Sequence, residues 1–329
     1  MRICIFGAGA VGGHFAARLG AAGHDVSVVA RGAQLGAMRE QGVTLLSGEE
    51  RIRARVRASD DPAELGAHEF VIVTLKATGL GAVPHAIAPL MGREGVVVFC
   101  QNGIPWWYAQ GLSAARPKPP ELSRLDPQGT LALAIPPERL LGGVVYSANE
   151  VIEPGVVENR TPGRNMLTVG EPDDRRSPRL AALRAALEDA GLHSPETGDI
   201  RQAVWNKLVN NLVSSTLCVI VEETVAAMMA DPALQALAAR IREEGRAIAA
   251  AHGVAIEGAP ARPGAPPAGG LAHKPSMLQD YERGRSMEIE AQVMAPLAFA
   301  RSANVAAPML ELAAALAAHK AAAKGLYQS

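Results

Sequence analysis

One predicted helix carries a lysine and an asparagine four residues apart among neutral polar side chains. Lys207 and Asn211 project from the same side of this helix, one turn apart. A single amine surrounded by amides and hydroxyls suits a cleft in which one proton donor serves a reaction. An exposed helix rich in Asn and Ser fits the same pattern. The opposite, apolar side consists of Val204, Trp205, Leu208, Val209, Leu212 and Thr216.

A glycine-rich turn near the start of the chain has the chemistry of a dinucleotide site. It follows the apolar run 2–6 and precedes a helix-like segment. Its first glycine allows the tight turn, its second lets the backbone approach a pyrophosphate, and its third lets helix and strand pack closely. A second strand at 25–30 completes the βαβ unit. We predict that the turn binds the cofactor through Gly7, Ala8, Gly9, Ala10, Val11 and Gly12.

The residue after the second strand indicates which dinucleotide binds. NAD enzymes usually place an acid there to hold the ribose 2′-hydroxyl, but this chain has Ala30 and then Arg31. Arg31 could pair with a 2′-phosphate, so NADP (NADPH) is favoured as the cofactor. The alternative is an ordinary surface arginine in a glycine-rich loop.

Two more apolar runs, 70–75 and 96–100, are typical of parallel strands covered on both faces. Lys76 and Asn102 follow them, at the sheet edge where ligands bind in open α/β sheets. Asn102 could hold nicotinamide or substrate, or it could belong to a simple Asn-Gly turn. A covering helix is expected between the two strands, over 81–90, although Pro84 fits poorly inside it.

An aromatic and proline-rich insertion occupies about 105–137. It could cover the site or form a partner surface, or it could be a loop held in place by tryptophan packing. Strands at 141–146 and 165–169 and a helix over 180–190, capped by Ser177, complete the first domain.

After Ile200 the strand pattern ends and helical segments follow. The sequence therefore predicts a Rossmann-type α/β domain with a parallel sheet over residues 1–198, which includes the insertion. An all-α substrate and catalytic domain is predicted over 199–329, with the active cleft between the two domains.

The composition excludes several classes of protein. The chain has 329 residues, 48% of them hydrophobic, and a net charge of −1, so we expect no binding to nucleic acid or to an anionic membrane. Three cysteines without metal-ligand spacing predict neither a metal site nor a disulfide framework. No apolar run looks long enough to span a bilayer, and the N-terminal run is too short for a signal peptide. A cytoplasmic location is expected.

These motifs, taken together and in order, resemble the ketopantoate reductase (2-dehydropantoate 2-reductase) family over nearly the whole chain apart from the insertion. The resemblance implies NADPH-dependent reduction of a 2-keto acid to a 2-hydroxy acid, with 2-dehydropantoate and pantothenate biosynthesis as the first expectation. The motifs are the glycine turn, Leu75-Lys76-Ala77, Asn102-Gly103, Trp205-Asn206-Lys207-Leu208 with Asn211, Ser276-Met277-Leu278-Gln279-Asp280, and Glu288-Ile289.

The resemblance also implies roles for individual residues. Lys207 matches the general acid, and Glu288 matches the acid that holds the reacting oxygen and contacts the cofactor. Without the resemblance, Glu288 would be read as a surface acid paired with Arg285. The glycine turn, Arg31 and Lys76 lie on the cofactor side. Substrate or nicotinamide is expected to bind to Asn102, Asn211, Ser215 and Ser276.

Three positions depart from the family pattern. Ser215 and His273 stand where the family often has asparagine, and Val293-Met294 replaces a usual Asn-Gly pair. The first two concern the far end of the substrate, and the insertion could also change what fits the site. Two other hypotheses therefore stay open: a dehydrogenase of another 2-keto or hydroxy acid, and a non-catalytic NADP(H)-binding regulator. The family contains dimers, so a homodimer is also considered.

Overall fold

A computed structural model of the protein describes residues 1–256 and 274–328. The chain forms two compact units. The first consists of Met1–Gln101 and Gln128–Ile200, and the second of Asn102–Pro127 and Arg201–Ser329.

The first unit is built on a seven-stranded sheet in the spatial order β11-β8-β7-β6-β1-β2-β5, where strands are numbered along the chain. All neighbours in it are parallel except β11, which is antiparallel to β8. The strands of the unit are β1 (Arg2–Phe6), β2 (Asp25–Val29), β3 (Val43–Ser47), β4 (Glu50–Ala54), β5 (Arg57–Ser59), β6 (Phe70–Val73), β7 (Val96–Phe99), β8 (Leu140–Tyr146), β9 (Asn149–Glu153), β10 (Val156–Asn159) and β11 (Met166–Gly170).

The predicted strands belong to this sheet. Every residue of β6 and β7 is buried, as expected for parallel strands covered on both faces. The helices of the unit are α1 (Ala10–Ala21), α2 (Gly32–Gln41), α3 (Val83–Met91), α4 (Thr130–Ala134) and α5 (Pro178–Asp189). The helix predicted over 81–90 is a 3₁₀ turn over Ala77–Ala82 followed by α3, and Pro84 lies at the start of α3, where its missing N–H is harmless.

A second sheet, in the order β4-β3-β10-β9, was not predicted. Helix α1 packs against it through glycines: a Cβ on Gly13 would lie 2.6 Å from the Val157 side chain, and one on Gly20 would lie 2.7 Å from the Ala54 Cβ. The glycines therefore let α1 lie close to the second sheet, while its N-terminus follows directly after β1 and the glycine turn of the seven-stranded sheet.

The second unit is helical. Its helices are α6 (Ile200–Val221, whose first residue clusters with the first unit), α7 (Val225–Ala230), α8 (Pro232–Ala251), α9 (Ser276–Glu282), α10 (Ala295–Ser302) and α11 (Pro308–Ala323). One turn of π-helix, Glu290–Met294, leads directly into α10. The sheet domain followed by a helical domain confirms the predicted fold class.

Residues 102–127 pack with the helical unit, whereas the sequence analysis placed the insertion in the first domain. The reason is an aromatic cluster. The Trp205 Nε1 donates to the Tyr108 hydroxyl at 2.8 Å, and both rings meet Phe299 edge-on. The buried Arg201 guanidinium donates to the carbonyl oxygens of Tyr108 and Gln110. Of the three interpretations of the insertion, namely a cover over the site, a partner surface and a loop held by aromatic packing, these contacts favour the last.

Helix α6 is, among the described residues, the one helix long and apolar enough to cross a membrane by length and composition. No membrane-spanning run was expected from the sequence. In the structure 61% of its most apolar window is buried, as in a core helix, so the feature is weak evidence for a membrane span.

Candidate functional site

The glycine turn in the first unit is shaped by close backbone contacts. Gly7 has φ +119°, and a Cβ on Gly12 would lie 1.9 Å from the Gly7 carbonyl oxygen and 2.7 Å from the Thr74 Oγ1. Thr74 itself donates to the Gly7 oxygen at 2.9 Å. A Cβ on Gly9, by contrast, would meet no atom within 4 Å. Gly7 and Gly12 are therefore required by the fold, while Gly9 leaves open space beside the backbone.

Helix α1 begins beside this open space with unsatisfied backbone donors. Its N-cap is Gly9, no side chain caps it, and its first turn, which begins with Ala10 and Val11, holds no acid. Bare N–H groups and the positive end of a helix dipole favour a phosphate group. The residues present thus fit the pyrophosphate of a dinucleotide.

Two basic residues stand near the carboxyl ends of strands in the same sheet. Arg31 follows β2 and Ala30, is exposed, and its guanidinium has no partner among residues 1–256 and 274–328. Lys76 follows β6 and is half-buried. Both therefore stand at the end of the sheet where the sequence predicted cofactor contacts.

His14, in the second turn of α1, is fully buried, and neither ring nitrogen has a hydrogen-bond partner in the described part of the chain. Burial, with the nearby Arg18 charge, lowers the pKa of His14 to about 3. The imidazole is therefore neutral at physiological pH and is a packing residue.

The second unit brings the predicted catalytic residues together through Asn102. The Lys207 Nζ, on α6, donates to the Asn102 Oδ1 at 2.6 Å. The Asn102 Nδ2 donates to the Glu288 Oε2 at 3.3 Å. An ammonium can only donate and a carboxylate can only accept, so the two partners fix the orientation of the Asn102 amide. One amide therefore joins an amine and a carboxylate that are 81 residues apart in the sequence.

The chain of hydrogen bonds continues through Gln292, which the sequence analysis did not identify. Its Nε2 donates to the Glu288 Oε2 at 3.3 Å. Its Oε1 accepts from the Ser215 hydroxyl at 3.0 Å and from the Asn211 Nδ2 at 3.3 Å. The side chains of Gln292, Glu288 and Ser215 are buried, with exposed fractions of 1%, 5% and 3%. Lys207, Asn102 and Asn211 are partly exposed, so solvent or a ligand can reach one end of the set.

Backbone geometry explains why Asn102 meets Glu288. Gly103 has φ +82°, and a Cβ there would lie 2.3 Å from the Ala291 carbonyl oxygen. That oxygen lies in the π turn and accepts from the Ile104 N–H at 2.8 Å. Single π turns within helices are frequently found at functional sites. The glycine after Asn102 is therefore a point of close backbone approach, beyond a simple turn.

The remaining predicted positions lie elsewhere or are not described. Ser276 is exposed and begins α9. Val293 is buried and Met294 half-buried, both in the π turn. His273 lies outside the described residues. No group of His, Cys, Asp or Glu suited to a metal ion occurs in the described ranges.

Gln292 could have been found from one signal: it lies four residues after Glu288, the spacing at which side chains on a helix meet. That signal is weak, because a lone glutamine on an apolar helix has many explanations. Gly103 was a stronger signal, for the contact between the Asn102 segment and the π turn, since glycine often marks a close approach of the backbone.

The two units define a class: a pyridine-nucleotide-dependent oxidoreductase with a dinucleotide-binding sheet domain and a helical domain that carries an amine and a carboxylate. Sequence models of one family cover both domains. Residues 3–173 match the model described as Ketopantoate reductase PanE/ApbA, and residues 199–321 match Ketopantoate reductase PanE/ApbA C terminal. The chain belongs to the ketopantoate reductase family, which confirms the resemblance.

Relatives and solved structures agree with this assignment. A 2-dehydropantoate 2-reductase from Mesorhizobium japonicum is 40% identical over 99% of this chain and 100% of its own length. One from Archaeoglobus fulgidus is 30% identical over 88% of this chain and 87% of its own. The crystal structure of a putative ketopantoate reductase from Ralstonia solanacearum MolK2 has a TM-score of 0.86 and 35% identity, and covers 99% of both chains.

Proposed function

We propose that this protein reduces 2-dehydropantoate (ketopantoate) to pantoate with NADPH, the reductive step of pantothenate biosynthesis. The observation that carries the proposal is the hydrogen-bonded set of Lys207, Asn102 and Glu288 in the helical unit. The 40% identical relative named 2-dehydropantoate 2-reductase supports the same substrate.

The residues assigned to the cofactor are the glycine turn from Gly7 to Gly12, Arg31 and Lys76, with Asn102 and Glu288 on the nicotinamide side. When bound, NADPH supplies the hydride that the ketone carbon receives. Bare N–H groups at the start of α1 bind the pyrophosphate, and the exposed Arg31 guanidinium pairs with the 2′-phosphate. The preference for NADPH over NADH rests on Arg31 and on the missing acid.

Lys207 supplies the proton. As negative charge develops on the carbonyl oxygen, the ammonium of Lys207 stabilises it and transfers a proton from Nζ to that oxygen. Its hydrogen bond to the Asn102 Oδ1 orients the amine and requires Nζ to be a donor. A proton from water restores the ammonium after each turnover.

Glu288 and the neutral polar residues bind and orient the substrate. The Glu288 carboxylate accepts a hydrogen bond from the new hydroxyl group, and Asn102 holds that carboxylate in place. Ser276 and Asn211 bind the polar ends of the keto acid. Ser276 is exposed, so the substrate can reach its hydroxyl group directly. Ser215, which shares the Gln292 Oε1 with Asn211, was expected from the sequence to bind in the same substrate region.

Steady-state NADPH absorbance with ketopantoate and a panel of other 2-keto acids tests the proposal. We expect the highest kcat/KM with ketopantoate and NADPH. A higher kcat/KM with another 2-keto acid would reassign the substrate while keeping the reaction. Tight NADPH binding without turnover of any acid would favour a non-catalytic regulator and contradict the proposal.

We also infer a cytoplasmic protein that takes a small-molecule keto acid and binds neither nucleic acid nor membrane. A homodimer is the oligomeric hypothesis, since the family contains dimers. Size-exclusion chromatography with light scattering decides between a mass near 34.3 kDa and twice that value.

A further inference from the structure

Both polar atoms of the Gln292 side chain, in the interior of the helical unit, are hydrogen-bonded. Three polar side chains converge on its amide: Glu288 on the nitrogen, and Ser215 and Asn211 on the oxygen. A buried amide lowers stability unless each polar atom is paired, so an apolar residue would be the simpler choice for packing alone. The full pairing indicates that Gln292 has a role beyond filling space.

The orientation of the Gln292 amide follows from its partners. A carboxylate only accepts hydrogen bonds, so the atom that faces Glu288 must be the nitrogen. The oxygen then faces Asn211 and Ser215, and both have hydrogens to donate. Two donors on Oε1 hold the amide plane and thereby keep the Nε2 directed at the Glu288 Oε2.

The same carboxylate oxygen receives two amide donors, the Asn102 Nδ2 and the Gln292 Nε2, each at 3.3 Å. Hydrogen bonds to a charged carboxylate favour its ionised form and limit its rotation. Glu288 is thus held from two sides, from the segment after β7 and from the π turn that it precedes.

We propose that Gln292 is a positioning residue for the reduction, which holds the Glu288 carboxylate ionised and oriented. We also propose that Ser215 acts on the reaction through Gln292, with no direct contact to substrate. The inference rests on the proposed function, and it assigns to Ser215 an indirect role in place of the substrate contact expected from the sequence.

Two charged groups associated with Glu288, Lys207 and Glu290, have partners of their own. Lys207 reaches it through Asn102. Glu290, in the π turn, is paired with Arg124 at 3.1 Å and accepts a hydrogen bond from the Tyr327 hydroxyl at 2.9 Å. A change at Gln292 therefore acts on Glu288 while these pairs stay in place.

The first test is Gln292→Met, with Gln235→Met as the matched control. Gln235 lies on α8 and donates to the Met229 carbonyl oxygen, which is not among the hydrogen-bonding partners of Glu288 and Gln292. We expect Gln292→Met to lower kcat about tenfold while KM for ketopantoate changes less than about threefold, because one charge-assisted hydrogen bond is lost. The control should keep wild-type kinetics. A lower Tm with unchanged kcat would show that Gln292 is merely structural.

A second readout needs no turnover. The Glu288 carboxyl is titrated by ¹³C NMR in glutamate-labelled protein, and its signal is assigned by its loss in Glu288→Gln. In Gln292→Met its titration midpoint should rise by about one pH unit. An unchanged midpoint would overturn the inference even if the wild type turns over. A shifted midpoint in a protein that reduces no keto acid would refute only the proposed function.

Ser215→Ala in the wild-type and Gln292→Met backgrounds tests the second half of the proposal. Ser214→Ala is the control, because the Ser214 hydroxyl donates within its own helix, to the Asn210 carbonyl oxygen. We expect Ser215→Ala to lower kcat by about threefold in the wild type and to have no effect beside Gln292→Met. An equal rise in KM in both backgrounds would show that Ser215 contacts the substrate itself.

If Gln292→Met fails to fold, Gln292→Glu keeps the shape of the side chain. It places a second carboxyl beside Glu288, so the two share one proton and the titration midpoint should rise further. A midpoint equal to that of the wild type would overturn the proposal.

Discussion

The glycine turn of the first unit and the polar set of the second unit are built in opposite ways. The turn is one continuous segment, Gly7 to Gly12, whose chemistry resides in backbone N–H groups and missing Cβ atoms. The polar set joins side chains from residues 102, 207, 215 and 288–292, and each is oriented by the next. A local backbone site can be read from a short motif. A dispersed side-chain site is defined only by the fold, so substitutions in the two regions should separate binding from catalysis.

Lys207→Ala should give the largest effect. Loss of the proposed general acid is expected to lower kcat by about a thousandfold, with the Kd for NADPH nearly unchanged. The control is Lys324→Ala, at the exposed end of α11. Steady-state kinetics and fluorescence titration of NADPH measure the two quantities. Wild-type turnover in Lys207→Ala would remove Lys207 from the mechanism.

Gly9→Ala and Gly12→Ala separate the structural role of the glycine turn from its proposed role in NADPH binding. A Cβ at Gly12 would overlap the Gly7 carbonyl oxygen, so Gly12→Ala should lower stability by about 2–3 kcal/mol. A Cβ at Gly9 meets no protein atom, so Gly9→Ala should keep the wild-type Tm and weaken NADPH binding by about tenfold or more. Calorimetry measures the Tm of both variants, and titration measures their affinity for NADPH. Unchanged NADPH affinity in Gly9→Ala would place the cofactor elsewhere.

Arg31→Ala should change the choice of cofactor. Loss of one charge-assisted contact is expected to raise the Kd for NADPH about tenfold or more and leave that for NADH nearly unchanged. Arg51→Ala, in the exposed part of β4, is the control. Equal loss of affinity for both nucleotides would refute the role of Arg31.

His14 predicts a pH dependence of stability confined to the first unit. Its pKa of about 3 in the folded chain lies below that of the unfolded chain, so the unfolded state takes up the proton first as the pH falls. Stability from this residue is complete above about pH 7 and decreases by about 2 kcal/mol at pH 5. His14→Leu should abolish this part of the decrease in denaturant titrations at the two pH values. An identical decrease in the wild type and in His14→Leu would contradict the role of His14 in this pH dependence.

The strands and the glycine turn could be predicted because they repeat local signals: apolar runs, glycine spacing, and a cap such as Ser177, which accepts from the Leu180 N–H at 3.1 Å. The second sheet was not predicted, because β4 is largely exposed and charged and β9 carries two glutamates, so neither has the buried apolar run that marks β6 and β7. Gln292 was not predicted either, since its spacing of four residues from Glu288 is a weak signal and its other two partners come from α6. Lys207 was singled out by its spacing of four residues from Asn211. Its role as general acid and the role of Glu288 followed from the family resemblance, since the hydrogen bonds that join them depend on Asn102 and on the close approach of Gly103 to the π turn.

The central claim is that a hydride from NADPH reaches the ketone carbon of a 2-keto acid while Lys207 protonates the oxygen. The most direct measurement supplies ketopantoate with NADPH that carries deuterium at both hydrogen positions of the nicotinamide C4, and analyses the product by mass spectrometry and NMR. We expect pantoate that carries one deuterium on the carbon bearing the hydroxyl group, and Lys207→Ala should form it at a greatly reduced rate. Unlabelled pantoate, or no hydroxy acid from any keto acid despite bound NADPH, would contradict the claim.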